Sequence, residues 1–409
     1  MKGSGLVDFF SRHRATFSLG FIALMISSVG DLAAGATLGF MTDTLALLPG
    51  LMVLIPPAIG MRGNIFGALG SRLGTSMHVG TFELSLRKGG ILRQNMEASL
   101  VLTLIISLLM GIMAKFISEA FGVSSIPLEQ FVFISVFGGV LAGLALLVIN
   151  IVVANIGFRR SWDIDNISAP IITAAGDVIT LPMLFLSAII VLEGGKLGEW
   201  IIEGVTIGTI FAAIYLAYRS YAMERSETRR IIMHSLPVLA ICIVMDVGAG
   251  LTIEQQLDAL VTLPVILVMI PPFLEDANAL GGILTSRLSS QLHMGTLEPK
   301  GLPGRTALEN FAIIYIFSIY VFLLVGLSSF VVASLLGLAV PSLWTLLALS
   351  MLAGLITVTV LNLISYYVAI TSFRFRLDPD DHSIPFTSSA IDFIGAAALM
   401  LCIVALGLA

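Results

Sequence analysis

The chain has 409 residues, 57% of them hydrophobic and 11% charged, with a mean hydropathy of +1.02 and a formal net charge of −5. A soluble domain carries about a quarter charged residues, so this composition excludes a soluble globular protein and predicts a polytopic membrane protein held in the lipid bilayer. No basic tract points to nucleic acid, and Cys242 and Cys402 lie in apolar segments, as small buried hydrophobes rather than a disulfide pair.

Taken in order, apolar segments of about 20 residues or more lie near 17–41, 45–70, 97–118, 129–157, 167–194, 200–220, 231–253, 259–288, 308–337, 342–370 and 383–408. They predict an all-α fold of eleven spans. The first run is long enough to span and does not read as a cleaved signal peptide. Of the 21 lysines and arginines, all but Arg62, Lys115 and Lys196 fall on one side if the N-terminus is cytoplasmic. The positive-inside rule therefore orients the protein, with the C-terminus extracytoplasmic.

The second half repeats the first at a constant offset of 215 residues. Asp31 maps to Asp246, Gly35 to Gly250, Pro56-Pro57 to Pro271-Pro272, Ser71-Arg72-Leu73 to Ser286-Arg287-Leu288, and His78 to His293. Asn95 maps to Asn310, Asp163 to Asp378, Asp165 to Asp380, Pro170 to Pro385 and Asp177 to Asp392. The expected organisation is a cytoplasmic segment 1–16, a five-helix repeat 17–194, a linker transmembrane helix 195–229 and a second five-helix repeat 230–409. Five spans alone would invert the second copy. The linker span restores parity and predicts two parallel repeats about a pseudo-two-fold axis along the membrane normal.

Each fifth span carries one carboxylate seven residues past a proline. Pro170, Thr173, Asp177 and Thr180 lie on one helix face, and Pro385, Ser388, Asp392 and Gly395 repeat it. A carboxylate that deep in an apolar segment must face a partner, an ion or water. Asp177 and Asp392 are therefore expected at the centre of a cation pathway; the bland alternative is a structural hydrogen bond to a neighbouring hydroxyl.

Each second span places helix breakers in mid-membrane: Pro56-Pro57-Ala-Ile-Gly60-Met-Arg62-Gly63-Asn64 and Pro271-Pro272-Phe-Leu-Glu275-Asp276-Ala-Asn278. Broken helices free carbonyls, which with Asn64 and Asn278 are hard oxygen ligands. A Pro kink for packing alone is the competing reading. Arg62 is expected to pair with Glu275 or Asp276 near the axis. Asp31 and Asp246, in the first spans, either line the outer vestibule or hydrogen-bond a neighbouring helix. Asp163, Asp165 and Asn166, with Asp378, Asp380 and Asp381, either concentrate cations at the inner mouth or cap helices. His78 and His293 lie in cytoplasmic connections, with no transition-metal ligand spacing around them.

The Pro-Pro-x-x-Gly-x-x-Gly-Asn…Ser-Arg-Leu…Gly-Thr-x-Glu run at 56–83 resembles the second-span signature of the solute-carrier family 41 magnesium transporters. The Asp-x-Asp-Asn…Pro-Ile…Gly-Asp-x-Ile-Thr-Leu run at 163–181 resembles their fifth-span signature. These proteins are similar to the membrane domain of bacterial MgtE magnesium channels, in which two five-helix protomers surround one pore. The resemblance implies a fused pseudo-dimer that works as a monomer in the plasma membrane. It also implies magnesium as the transported ion, with Asp177 and Asp392 matching the pore carboxylate. It does not extend to the cytoplasmic magnesium-sensing region of MgtE, so gating by that region is not implied. The second repeat departs from the pattern, with Ala277-Asn278-Ala279 in place of Gly-Asn.

Magnesium dehydrates reluctantly and prefers oxygen, so a few carboxylates around a wet path suit the hydrated ion. Two other functions stay open on the sequence: a sodium- or proton-coupled divalent cation exchanger, using Asp31, Asp246 or Glu275, and more remotely an intramembrane aspartyl enzyme. No catalytic signature supports the latter, and the expectation is a protein that is not an enzyme.

Overall fold

Every regular element among the described residues, which are 14–160, 164–222, 226–375 and 382–408 of a computed structural model, is helical. In the first half these are α1 (Arg14–Phe40), short α2 (Thr42–Leu47), α3 (Ile55–Arg62), α4 (Ala68–His78), α5 (Ile91–Ala120), α6 (Leu128–Arg160) and α7 (Ile164–Glu193). The linker helix is α8 (Gly195–Ala222). There follow α9 (Glu227–Glu254), short α10 (Leu257–Thr262), α11 (Pro264–His293), α12 (Arg305–Leu335), α13 (Leu343–Phe375) and α14 (Ile384–Ala405). Among the described residues, ten helical stretches are long and apolar enough to cross a membrane: Leu51–His78 taken as one, α5 to α9, and α11 to α14. The expected first span coincides with the 27 residues of α1.

Length explains why these segments are helices through lipid. A 22-residue α14 reaches about 33 Å at 1.5 Å per residue, matching a hydrocarbon core of ~30 Å within which every backbone amide must be paired. The 33-residue α6 and α13 overreach it and must tilt or protrude. The same packing devices recur at the repeat offset. Ser135 donates to the Ser107 carbonyl at 2.6 Å, and Ser350 to the Phe322 carbonyl at 2.6 Å. Arg72 Nε donates to Asn95 Oδ1 at 2.9 Å, and Arg287 Nε to Asn310 Oδ1 at 2.9 Å.

The two halves are not side-by-side bundles, because their first helices cross over. α1 packs on α7 of its own half but also on α11 and α12, while α9 packs on α14 and on α3 and α5. Near its start, Phe17 and Phe21 of α1 meet the Phe317 ring of α12 edge-on, at 5.5 and 5.1 Å between centroids. α8 lies outermost, against α5, α6 and α7, and most of its surface faces outward.

The crossing explains a difference from expectation. The second spans are not broken at their proline pairs. Leu51–His78 is continuously helical: a 3-10 turn at Leu51–Leu54, then α3 with proline in its first turn, a π-helical turn at Gly63–Gly67, and α4. α11 runs unbroken through Pro271 and Pro272. Proline at position i removes the bond to the carbonyl of i−4, so Pro57 frees Val53 and Pro272 frees Val268. Each freed carbonyl is covered by the opposite half. A Cβ on Gly250 would sit 2.6 Å from the Val53 oxygen, and one on Gly35 would press even closer on that of Val268. Only glycine leaves room there. The distortion that remains is the π turn of the first half, a feature often found at functional sites.

Candidate functional site

A cavity of about 460 Å³ lies between Leu51–His78 and α11, walled on its other sides by α1, α7 and α14. Small residues make the room: Gly60, Gly63 and Gly67 on one wall and Ala279 and Gly282 on the other. Polar groups face into it: Asn64, Thr173, Asp177, Glu275, Asn278 and Ser388. One end reaches Ser71 and Ser286, immediately before Arg72 and Arg287. The other end is closed by Ile55, Pro56 and Ile59 against their counterparts Ile270, Pro271 and Leu274. The void left among them, which also touches Glu275 and Asp392, is about 10 Å³, no more than the minimum a single water needs. The cavity therefore ends in an apolar seal on one side of the carboxylates.

Six carboxylates gather beside this cavity in two unequal groups. In the first, Asp31 of α1 and Asp177 of α7 are within hydrogen-bonding reach of each other, near Glu275 and Asp276 of α11. Ser28 donates to Asp276, 2.9 Å from Oδ1 and 2.6 Å from Oδ2. In the second, Asp246 of α9 and Asp392 of α14 flank Gly60, each with an oxygen 3.4 Å from where its Cβ would be. Asn278 Nδ2 donates to Asp392 Oδ1 at 2.9 Å. Glu275 is close enough to feel the charges of both Asp177 and Asp392, and so bridges the groups. Asp31, Asp246 and Asp276 are fully buried, and Asp177 and Asp392 are 3% and 2% exposed. Among the described residues, Asp31 Oδ1, Asp177 Oδ2 and both oxygens of Asp246 have no hydrogen-bond donor. Among the described residues, no three His, Cys, Asp or Glu converge as a chelating cage.

Three expectations need correction. Arg62 does not pair with Glu275 or Asp276: its fully buried guanidinium turns away, and Nη2 donates to Ser107 Oγ of α5 at 2.8 Å. Gly139 of α6 leaves the space it occupies, while Nε and Nη1 have no partner among the described residues. The reason is rotational: Arg62 lies at the last turn of α3, two positions past the face that Gly60 gives to the cavity. Asp31 and Asp246 do not line an outer vestibule; of the two readings, contact with a neighbouring helix is the one the geometry favours, with Asp31 in reach of Asp177 on α7 and Asp246 beside Asp392 on α14. They stand beside the fifth-span aspartates, and Ser27 on the same helix as Asp31 donates to its Oδ2 over a long 3.5 Å. His78 and His293 are not in connections but end α4 and α11, each followed by a glycine in the left-handed conformation, Gly80 and Gly295. The Gly-Thr signature is thus a helix stop, with the Thr81 and Thr296 amides returning to the Ser76 and Gln291 carbonyls.

Sequence reasoning misses two groups. Ser28 does not stand out from other span hydroxyls, and only its three-residue spacing from Asp31 hints at a shared face. Glu254, the last residue of α9, accepts from the Gly50 and Met52 amides at 2.7 and 3.2 Å, capping the start of the opposite second span. Asp163, Asp378, Asp380 and Asp381 lie outside the described residues, as do the side chains of Asp165, Asn166 and Pro170. Cys242 and Cys402 are free and buried, as expected.

The model of the MgtE family, described as divalent cation transporter, matches the chain twice, over residues 55–187 and 270–402. The two matches start at equivalent positions of the internal repeat. Solute carrier family 41 member 3 of Mus musculus is 26% identical over 371 residues, covering 86% of this chain and 74% of that protein. The Rattus norvegicus member 3 is 26% identical over 403 residues, covering 93% and 85%. Solute carrier family 41 member 2 of Xenopus laevis is 25% identical over 411 residues, covering 93% and 70%. No solved structure matches the chain.

Proposed function

The chain belongs to the MgtE divalent cation transporter family, and from that membership we propose that it carries magnesium, as a hydrated ion, along an axis between its two halves. Asp177 and Asp392 are the principal carboxylates of this path. Thr173, Ser388, Asn64 and Asn278 offer oxygens to the ion's water shell, and Asp31, Asp246, Glu275 and Asp276 supply the surrounding negative field. The pathway is built from the repeats 17–194 and 230–409, parallel about the axis and joined by 195–229. One chain suffices, in the plasma membrane, with the N-terminus cytoplasmic.

The observation that carries this reading is the coincidence of the acidic centre with the cavity. Six waters at ~30 Å³ each need on the order of 180 Å³, which fits within the 460 Å³ that Asp177 lines. A bare magnesium ion would need a tight octahedral cage instead. Apolar closure at Ile55, Ile59, Ile270 and Leu274 makes the conformation one in which the ion reaches the carboxylates from the arginine-bearing end only.

A coupled carrier is the second reading, favoured by the charge balance. Six carboxylates with Arg62 turned away exceed what one divalent ion neutralises, so the remainder call for further cations or protons.

The test is magnesium flux into proteoliposomes holding the purified chain, with no other ion gradient. Flux that is lost in the Asp177→Asn, Asp392→Asn double variant supports passive conduction past these groups. Flux that begins only under a sodium or proton gradient supports the coupled carrier. Unchanged flux in the double variant removes the proposed path.

A further inference from the structure

The linker helix encloses a second cavity, remote from the acids. About 440 Å³ of space lies in a groove between α5 and α8, closed by Val140 of α6 and by Thr228 at the start of α9. Its body is aliphatic, lined by half-buried Leu100, Val101, Leu104, Val140 and Leu216. One end is charged. Arg219 is exposed and, among the described residues, has no partner; Arg93 pairs with Glu97 at 2.7 Å, and both are about 40% exposed. At the other end Thr103 Oγ1 is buried without a partner among the described residues.

The shape is that of an amphiphile. From Arg93 to Leu104 the groove follows α5 over about 16 Å at 1.5 Å per residue, which is half of a ~30 Å hydrocarbon core. Two guanidinium groups against one carboxylate leave the mouth net positive. It lies at the arginine-bearing end, where basic pockets between spans suit anionic headgroups. A free phosphate would leave the aliphatic body unfilled, and a choline headgroup would bring a cation towards Arg219. The charged mouth is not repeated in the second half, where Leu308 and Ala312 stand at the positions of Arg93 and Glu97.

We propose that this groove binds an anionic glycerophospholipid, its phosphate between Arg93 and Arg219 and one acyl chain along Leu100, Leu104 and Leu216. The lipid fills the seam between α8 and α5, where the linker helix is otherwise lightly packed.

The experiment is native mass spectrometry of the full chain released from nanodiscs of equimolar phosphatidylglycerol and phosphatidylcholine. The wild type should retain phosphatidylglycerol preferentially. Arg219→Gln should lower that preference roughly fivefold, the contribution of one arginine at an anionic surface. Arg230→Gln, which removes a charge paired with Glu227 outside the groove, should leave it unchanged. Glu97→Gln should raise the preference, a gain that misfolding cannot produce. Equal retention of the two lipids by the wild type, or equal loss in Arg219→Gln and Arg230→Gln, would mean annular lipid only and would overturn the site. So would a Glu97→Gln variant with no gain.

Discussion

The two second spans start from the same proline pair and then diverge. Where Leu51–His78 presents Gly60, Met61 and Arg62, α11 presents Glu275, Asp276 and Ala277. The first carries a π turn and sends Arg62 to α5, whereas the second is a regular helix that brings two acids to the centre. In a dimer of identical protomers any substitution appears on both sides of the axis. Fusing the copies lets one wall stay small and the other become acidic. What both walls keep is the proline pair and the glycine facing it, the part of the interface that neither half supplies alone.

The largest effect should come from that shared part. Gly35→Leu and Gly250→Leu each drive a side chain into a backbone carbonyl, which cannot yield as a flexible side chain does. Overpacking costs about 1–3 kcal/mol, occasionally more, and both should fall at the upper end. Gly35 should be the worse because its contact is the closer. Thermal unfolding in detergent reads this, and equal, small losses would show that the crossing is loosely packed.

Next come the fifth-span carboxylates taken singly. Asp177 faces the open cavity, whereas Asp392 is held by Asn278 next to the apolar seal. Magnesium flux should fall roughly a hundredfold in Asp177→Asn and about tenfold in Asp392→Asn, or ~2.7 and ~1.4 kcal/mol of barrier. Identical losses would argue that the walls are functionally equivalent despite their chemistry.

A smaller difference should separate Asp276 from its counterpart Met61. Asp276→Leu leaves the buried Ser28 hydroxyl without its acceptor, costing about 1–3 kcal/mol. Met61→Leu is an apolar exchange that should cost less than about 1.5 kcal/mol. Chemical denaturation of the two variants provides the comparison. The smallest effect is a coupling close to zero. Arg62→Glu combined with Glu275→Arg should show no rescue, with an interaction within about 0.5 kcal/mol of additivity. Recovery in the double variant would mean that the guanidinium reaches the axis after all.

Much of this architecture is legible in the amino-acid sequence. Hydrophobic length marks the spans, and the constant offset marks the repeated contacts, because neither depends on what a residue touches. Asp177 and Asp392 stand out because a carboxylate in an apolar run is costly wherever it points. The continuity of α11 through Pro271 and Pro272 is not legible: the proline penalty is local, but the glycine that covers the freed carbonyl lies in the other half. The direction of Arg62 is hidden for a related reason. Helical spacing says which residues share a face, not whether that face meets a cavity or the hydroxyl of Ser107. Ser28 and Glu254 escape notice because each completes a polar group more than 200 residues away.

The crossing of α1 has a consequence for how the protein is made. α1 leaves the ribosome well before α11, yet the surfaces that bury Gly35 and satisfy Ser28 are on α11, completed only at His293. At about 5–20 residues per second, α1 waits on the order of tens of seconds in the translocon or the lipid beside it. During that time Asp31 lacks the neighbours that shelter it. The first half therefore reaches its final packing after synthesis of the second, and a nascent chain arrested before α11 should be a substrate for membrane quality control.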